Sequence, residues 1–287
     1  MIIDKTLKGE KKMKKRNLAG IVIIGALLIG ALALTGCGKT EKNDKKIVVG
    51  ASPTPHAEIL EVAREEIEKE GYTLEIKEFE DYVKPNQALV DGDLDANFFQ
   101  HEPYLIDYNK KNKTEIEVAG LEHFESLGVY KGKKKSFDEL ASGDKIAVPN
   151  DTTNEARALL LLEANGIIKL KEGAGLEATK KDIVSNPKNI EIEEIDAAII
   201  PKTLPDVALG VINGNFALGA NLKADDRIAG ESSESEAALK YANIIAVNKG
   251  DKDAKKIEVL VKALHSDKVK TFIEEKYQGT VIPKFSK

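Results

Sequence analysis

Short apolar runs and stretches with helical spacing alternate along the chain from position 47 onward. An amphipathic helix is predicted where apolar residues recur every three or four positions, at Ile59, Val62, Ala63 and Ile67. The neighbouring apolar runs predict three strands, at about residues 47–49, 74–76 and 96–99, and a short helix at 85–90. Strands and helices therefore follow each other in turn, as they do in sheets whose faces are covered by helices.

The same alternation returns in the second half of the chain. Residues 152–155 have the form of a capping box, and the apolar run at 159–162 extends that predicted helix to Gly166. Further strands are predicted at 146–148, 190–195, 208–212 and 244–247, and a last helix at 257–264. Two such units predict an α/β protein with two lobes, each a mostly parallel sheet flanked by helices, and a ligand cleft between them.

The predicted lobes divide the chain into three parts. Residues 45–128 and 244–287 are assigned to lobe 1, and residues 129–243 to lobe 2. Open parallel sheets bind ligands outside the carboxyl ends of their strands, so three segments are candidate sites: 97–101, 150–157 and 213–216.

The N-terminus has the pattern of an export signal. Seven Lys or Arg side chains up to Arg16 precede a stretch without charge that runs from Leu18 to Thr35. The small residues directly before Cys37 resemble the cleavage box of a bacterial lipoprotein. We therefore expect residues 1–36 to be a signal peptide, Cys37 to be lipidated, and 37–44 to tether the protein to the extracytoplasmic face of the cell membrane.

Two alternatives stay open for this region. The uncharged stretch could remain as a transmembrane anchor, because its 18 residues reach the lower limit for crossing a bilayer. A start at Met13 instead of Met1 would give a signal of ordinary length.

Charge and cysteine content narrow the function classes. Residues 1–36 carry seven basic and two acidic side chains, so their removal takes the net charge from −5 to −10. An acidic domain is a poor nucleic-acid binder, because phosphate contacts need clustered Lys and Arg. Cys37 is the only cysteine, and its lipidation leaves no thiol for a disulfide or a nucleophile. The four histidines lack the paired spacing of metal sites, so we expect neither a metal nor a cofactor.

Aromatic residues are concentrated in one region. The chain has 5% aromatic residues and no Trp, yet four rings lie between positions 82 and 104. In a strand, Asn97, Phe99 and His101 would share one face, so Phe99 and His101, together with Tyr82, are candidates for lining a ligand pocket. Burial of these rings in a core is an equally good explanation.

Polar residues that could hold a charged ligand follow the predicted strands. Arg157 lies three residues after Asn154, near the start of a helix, where free N–H groups attract anions and a guanidinium can bind a carboxylate with two hydrogen bonds. Asn213 follows the strand predicted at 208–212. The alternatives are a solvated arginine and a turn asparagine, which are the commoner situations for these residue types.

Motifs of the commonest hydrolases and nucleotide-binding proteins are absent from the sequence, which has no G-x-S-x-G, P-loop or G-x-G-x-x-G. An enzyme would need a nucleophile or a paired acid and base in the cleft, and only His101 and Glu102 qualify as proton carriers there. Adjacent strand residues point to opposite faces, so we expect no enzyme. A surface adhesin or interaction lipoprotein is a third possibility.

Several stretches, in the same order, resemble the methionine-binding lipoproteins that serve ABC importers. The similarity runs from about Ile47 to the C-terminus. The stretches are FEDYVKPN at 79–86, DANFFQHEPYL at 95–105, AVPND at 147–151 with Asn154 and Arg157, NPKN at 186–189 and VIN at 211–213.

The resemblance implies a two-lobed periplasmic-binding fold that closes over a free amino acid, usually methionine, and delivers it to a permease and its ATPase. It assigns the ligand-binding residues: Arg157 to the ligand carboxylate, Asn154 and Asn213 to its carboxylate and amino groups, and Tyr82, Phe99 and His101 to the side-chain pocket. Phe216 departs from the pattern, since some relatives are expected to have Tyr there. L-methionine, D-methionine, a methionine-containing dipeptide and another small amino acid all stay open as ligands.

Overall fold

The computed structural model describes residues 45–234 and 239–286. The predicted signal peptide, Cys37 and the tether lie outside these residues. Within the described part, no helix combines the length and the apolar character needed to span a bilayer.

Strands and helices alternate through most of this part of the chain. The strands are β1 (Lys46–Ala51), β2 (Thr73–Glu78), β3 (Ala96–His101), β4 (Glu117–Glu125), β5 (Gly128–Lys131), β6 (Lys145–Pro149), β7 (Lys169–Leu170), β8 (Ile183–Ser185), β9 (Glu191–Ile195), β10 (Leu209–Ile212), β11 (Arg227–Gly230), β12 (Ala242–Val247) and β13 (Val281–Ser286). The helices with described bounds are α1 (Glu58–Lys69), α2 (Lys84–Val90), α3 (Glu102–Asn112), α4 (Thr152–Ala164), α5 (Ile200–Thr203), α6 (Gly214–Gly219), α7 (Lys255–Leu264) and α8 (Asp267–Tyr277).

Two sheets organise these elements. The first has the strand order β13-β4-β12-β3-β1-β2, and the second has the order β11-β5-β10-β6-β9. Strands β7 and β8 form a separate two-stranded sheet. We call the first sheet with its helices the first lobe, and the second sheet with its helices the second lobe.

The strand directions correct the prediction of mostly parallel sheets. In the first lobe, β1 pairs in parallel with β2 and β3, whereas β12 and β13 form antiparallel pairs. In the second lobe, β6 pairs in parallel with β9 and β10, whereas β5 forms antiparallel pairs. The sequence pattern revealed the strands that alternate with helices but missed β4, β5, β11 and β13, which take part in most of the antiparallel pairs. Both sheets are therefore mixed.

Helices cover both faces of the first sheet because its central strands are apolar on both sides. On β12, Ile245 and Val247 pack in a core with α1, α7 and α8. The intervening Ile244 and Ala246 pack in a second core with α2 and α3. Alternate residues of a strand point to opposite faces, so a continuous apolar run serves both cores.

The second sheet is built on the same principle. On one face, Leu159 and Leu162 of α4 pack against Ile146 and other residues of the strands. On the other face, a smaller core joins Ile212 to residues of α5 and α6 such as Ile200. Ala156 and Ala158 belong to the same core as Leu159, so the first two turns of α4 also pack against the sheet.

The chain crosses between the lobes twice. It leaves the first sheet at Glu125 and enters the second at Gly128, and it returns between Gly230 and Ala242. Gly128 is the first residue of a strand of the second sheet, and residues 242–243 begin a strand of the first sheet. The assignment of lobe boundaries itself stays a prediction.

Candidate functional site

A small cavity lies between the two lobes, close to the segments that cross from one to the other. Its volume of about 20 Å³ holds little more than one water molecule. The carboxyl end of β3, the start of α4 and the residues after β10 form much of its wall. The cavity brings together all six residues predicted to bind a ligand: Tyr82, Phe99, His101, Asn154, Arg157 and Asn213. Six further residues complete its lining: Gln100, Tyr104, Glu125, Gly214, Asn215 and Asn243.

The end of β3 departs from strict alternation. Its pairing register with β12 skips Phe99, so a bulge lies there and the consecutive residues Phe99, Gln100 and His101 all line the cavity. Asn97 does not line it, and its Oδ1 instead accepts a hydrogen bond from Nε2 of Gln100 at 2.9 Å. The bulge therefore adds Gln100 to the cavity lining beside Phe99 and His101, whereas Asn97 lies outside that lining.

His101 connects α3 to the second lobe. Its Nδ1 accepts a hydrogen bond from the main-chain N–H of Tyr104 at 3.2 Å and caps α3, so the ring proton belongs on Nε2. Nε2 donates to Oδ1 of Asn154, 3.1 Å away in the other lobe. Burial, together with the positive charge of Arg157, lowers the pKa of His101 to about 3, so the ring is neutral near pH 7.

The two predicted asparagines differ in how their amide groups are used. Asp151 caps α4 by accepting the main-chain N–H of Asn154, and the same carboxylate accepts the side-chain Nδ2 of Asn154 at 3.0 Å. Oδ1 of Asn154 accepts from His101 and from Nδ2 of Asn213 at 2.9 Å. Both ends of the Asn154 amide are therefore engaged by protein groups. Oδ1 of Asn213, in contrast, is buried and has no hydrogen-bond partner in the described part of the chain.

Arg157 is held in the interior, with only 4% of its side chain exposed. Nε donates to Oε1 of Glu231 at 2.6 Å, and Nη2 donates to the other carboxylate oxygen and to the main-chain oxygen of Glu125 at 2.9 Å. The ring of Tyr241 lies 4.4 Å from the guanidinium carbon. No residue of the described ranges accepts a hydrogen bond from Nη1. The solvated arginine that the sequence left as an alternative is therefore excluded.

Glu125 is a cavity residue that the sequence did not single out. It is 5% exposed, its Oε1 accepts a hydrogen bond from Nε2 of His123 at 2.7 Å, and Nε2 of His56 lies 3.3 Å from the same oxygen. Burial raises the pKa of Glu125, and it lowers the pKa of His123 to about 3 and that of His56 to about 4. No sequence pattern marks these residues as a group, because only the fold brings β4 next to the segment before α1.

The same three residues raise the question of a metal. Possible ligand atoms of His56, His123 and Glu125 all lie within 4.8 Å of one another, a grouping that the sequence spacing did not reveal. A metal-bound histidine usually donates its second ring N–H to a nearby acceptor. Neither Nδ1 atom has a partner among the described residues, so the cluster fits hydrogen bonding to Glu125 better than metal binding.

Aromatic rings form the remaining wall of the cavity. The rings of Tyr82 and Phe99 lie 5.8 Å apart, and Tyr104 donates a hydrogen bond from its hydroxyl to the main-chain oxygen of Tyr82 at 2.9 Å. The hydroxyl of Tyr82 donates to Oδ1 of Asn215 at 2.5 Å, which joins the two lobes. Phe216 lies outside the cavity lining and covers the Tyr82 ring at 4.8 Å. Its lack of a hydroxyl therefore leaves the cavity wall itself unchanged.

Comparison with known proteins agrees with this geometry. A family model described as NlpA lipoprotein matches residues 47–285. The chain belongs to the NlpA lipoprotein family. A relative from Salmonella typhimurium, named D-methionine-binding lipoprotein MetQ, is 42% identical over 263 residues, which cover 90% of this chain and 95% of that protein.

Solved structures of similar proteins share the fold of this NlpA-family chain. A lipoprotein from Ruminococcus gnavus is 55% identical, with a TM-score of 0.83 over 84% of this chain and 99% of that chain. A nutrient-binding protein from Burkholderia cenocepacia, solved with methionine bound, is 48% identical, with a TM-score of 0.79 over 83% and 100% of the two chains. The predicted two-lobed α/β fold and the predicted family are thus confirmed.

Proposed function

We propose that this chain is the extracytoplasmic substrate-binding lipoprotein of an ABC importer and that it captures free methionine between its lobes. One observation carries the proposal: within residues 45–234 and 239–286, Arg157 has a donor and Asn213 an acceptor without a partner, and both residues line a cavity that also has an aromatic wall. The relative named for D-methionine binding and the structural neighbour solved with methionine support the same ligand.

A zwitterion needs compensation at both charged ends when it leaves water. A buried charge without a partner costs several kcal/mol, so a site for a free amino acid must supply a donor for the carboxylate and acceptors for the ammonium group. We assign the carboxylate to Nη1 of Arg157. The ammonium group is assigned to Oδ1 of Asn213 and to the Glu125 carboxylate, which also lines the cavity.

Asn154 takes a supporting part in this assignment. Its side-chain amide already makes hydrogen bonds to Asp151, His101 and Asn213. Asn154 therefore orients His101 and Asn213 instead of offering a free group to the ligand. It contacts the ligand carboxylate only if it gives up a hydrogen bond to Asp151.

The thioether of methionine would pack against the aromatic wall. Tyr82, Phe99 and His101 line the cavity, and a contact between sulfur and a ring contributes about 0.3 to 1.5 kcal/mol. An unbranched, flexible side chain adapts to such a wall more easily than a branched one. We therefore favour methionine over other small amino acids.

In this arrangement the cavity holds little more than one water molecule, about 20 Å³, so the lobes must move apart before an amino acid or a dipeptide can enter. A methionine-containing dipeptide stays an alternative ligand. The polar groups hold either enantiomer at the α-carbon, so we leave L- and D-methionine as equal candidates.

Delivery follows from closure of the lobes over the ligand. Hydrogen bonds join the lobes at the cavity, among them those from Tyr82 to Asn215, from His101 to Asn154 and from Arg157 to the main-chain oxygen of Glu125. A ligand that contacts both lobes stabilises this closed arrangement, and closure creates the surface that a permease recognises. The proposed partners are therefore a permease with its ATPase, and the membrane through lipid on Cys37.

The family to which the chain belongs consists of substrate-binding lipoproteins, and neither of the two proton carriers considered from the sequence is placed to act in the cavity. Both ring nitrogens of His101 are engaged, so neither can take a proton from a substrate. Glu102, the other proton carrier considered, is exposed and does not line the cavity.

The decisive experiment is the identification of the bound ligand. Protein purified without its signal peptide should release methionine on denaturation, identified by mass spectrometry with chiral separation. After the ligand is removed by unfolding and refolding, L- or D-methionine should raise the melting temperature. If no free amino acid is extracted and none raises the melting temperature, the proposal is wrong, and an adhesin or other interaction lipoprotein becomes the better explanation.

A further inference from the structure

Glu231 joins the two segments that cross between the lobes. It directly follows β11, and its main-chain N–H donates to the oxygen of Leu127 at 3.1 Å. Its main-chain oxygen accepts a hydrogen bond from Oγ of Ser126 at 2.9 Å, and its Oε2 accepts from the N–H of Leu127 at 2.9 Å. The outgoing and returning crossings are thus held together through both the main chain and the side chain of one residue.

The same carboxylate fixes the orientation of Arg157. Its two oxygens accept hydrogen bonds from Nε and Nη2, which is the parallel, two-point geometry that constrains a guanidinium most strongly. This leaves Nη1 as the edge without a partner in the described ranges. Glu231 does not line the cavity, so it acts on a ligand only through Arg157.

We propose that Glu231 is a positioning residue, which turns the Nη1 edge of Arg157 toward the ligand carboxylate and ties that orientation to the crossing between the lobes. The inference rests on the proposed function, since it presumes a ligand with a carboxylate. A guanidinium that is 4% exposed cannot stay buried without a counter-charge, and Glu231 supplies one. The orientation of the arginine is therefore held by a group of the protein itself.

Glu231 could instead compete with the ligand for Arg157. Its negative charge repels a second carboxylate, so its removal would then strengthen binding. The geometry argues against competition, because Glu231 accepts hydrogen bonds from Nε and Nη2 and not from Nη1. The two explanations predict opposite signs for the same substitution.

The test is Glu231→Gln, with binding of methionine and of methioninol measured by calorimetry. Methioninol keeps the ammonium group and the thioether but carries a hydroxymethyl group where methionine has its carboxylate. We expect about ten-fold weaker methionine binding, equivalent to about 1.4 kcal/mol, as for other coupled neighbouring groups. Methioninol binding should change less than about three-fold, because it does not depend on the orientation of Arg157.

Controls separate a positioning role from a general structural one. Glu234→Gln makes the same chemical change at an exposed position of the same segment and should alter neither affinity. An equal loss for both ligands, or tighter methionine binding, in Glu231→Gln would overturn the inference. Should that variant not fold, Glu231→Asp keeps the charge but shortens the reach, and it must show the same selective loss for methionine. A wild-type protein that binds neither ligand would instead refute the proposed function.

Discussion

Replacing Glu125 by Gln removes one charge from the cavity and keeps the shape of the side chain. The glutamine oxygen can still accept the hydrogen bond from His123, so the variant isolates the attraction between the carboxylate and the ligand ammonium group. At an effective dielectric constant of about 20, two unit charges about 4 Å apart attract each other by about 4 kcal/mol. Truncation of one partner of a buried charge pair costs about 2 to 5 kcal/mol, so we expect the dissociation constant for methionine to rise by about 30-fold or more.

The assay compares two ligands that differ only at the amino group. Calorimetry with methionine and with 4-(methylsulfanyl)butanoate, which lacks the ammonium group, measures the contribution of that group in each protein. In the wild type, methionine should bind much more tightly than the analogue. In Glu125→Gln the ratio of the two affinities should fall by the same factor as the affinity for methionine.

A matched control lies three residues earlier on the same strand. Glu122 is also buried, but it is 3.2 Å from Nε2 of His265 and does not line the cavity. Glu122→Gln should therefore leave the affinity for methionine unchanged. If Glu125→Gln binds methionine within about three-fold of the wild type, well below the cost expected for a buried charge pair, our assignment of the ammonium group is refuted.

The remaining predictions concern the carboxylate, the lipid anchor and acid stability. Arg157→Ala should cost about 2 to 5 kcal/mol of methionine affinity, because a buried carboxylate loses its partner; near-native affinity by calorimetry would count against the assignment. Cys37→Ser should release the protein from membranes without changing methionine binding, whereas a variant that stays in the membrane fraction would favour an uncleaved anchor. The pKa of His101 is about 3 in the folded protein and 6.5 in the unfolded chain. Below pH 6.5 the unfolded chain therefore binds more protons than the folded protein, so the free energy of unfolding falls as the pH falls. This histidine alone should lower the free energy of unfolding by about 2 kcal/mol between pH 7 and pH 5, and the stability difference between wild type and His101→Gln in urea should shrink by that amount.

The sequence pattern predicted the covered strands and the long helices correctly but not the strand directions. Residues such as Ile59 and Ile67 recur with the period of the helix they form, because one face of α1 is buried and the other is solvated. The direction of a strand has no such local signature. It depends on which neighbour the strand pairs with. Strand β4 pairs with β12 and β13, which lie more than 100 residues later in the chain.

The candidate site divides in the same way. Tyr82, Arg157 and Asn213 could be named in advance because recognisable stretches of sequence surround them. Glu125 and Glu231 could not be named in advance, because their importance arises from residues that are distant in sequence. Glu125 lies beside His56, and Glu231 binds Arg157. The unused acceptor on Asn213 is likewise visible only once every neighbouring donor is placed.

The sequence by itself determined the α/β class, the family, the expectation of export and lipidation, and six of the twelve residues that line the cavity, because periodicity, charge and short motifs are properties of neighbouring positions. The tertiary structure alone decided the mixed strand directions, the bulge in β3, the cluster around Glu125 and the pairing of Arg157 with Glu231. These features depend on contacts between residues tens of positions apart. Such contacts follow from how whole elements pack, and no local pattern of residues encodes that packing.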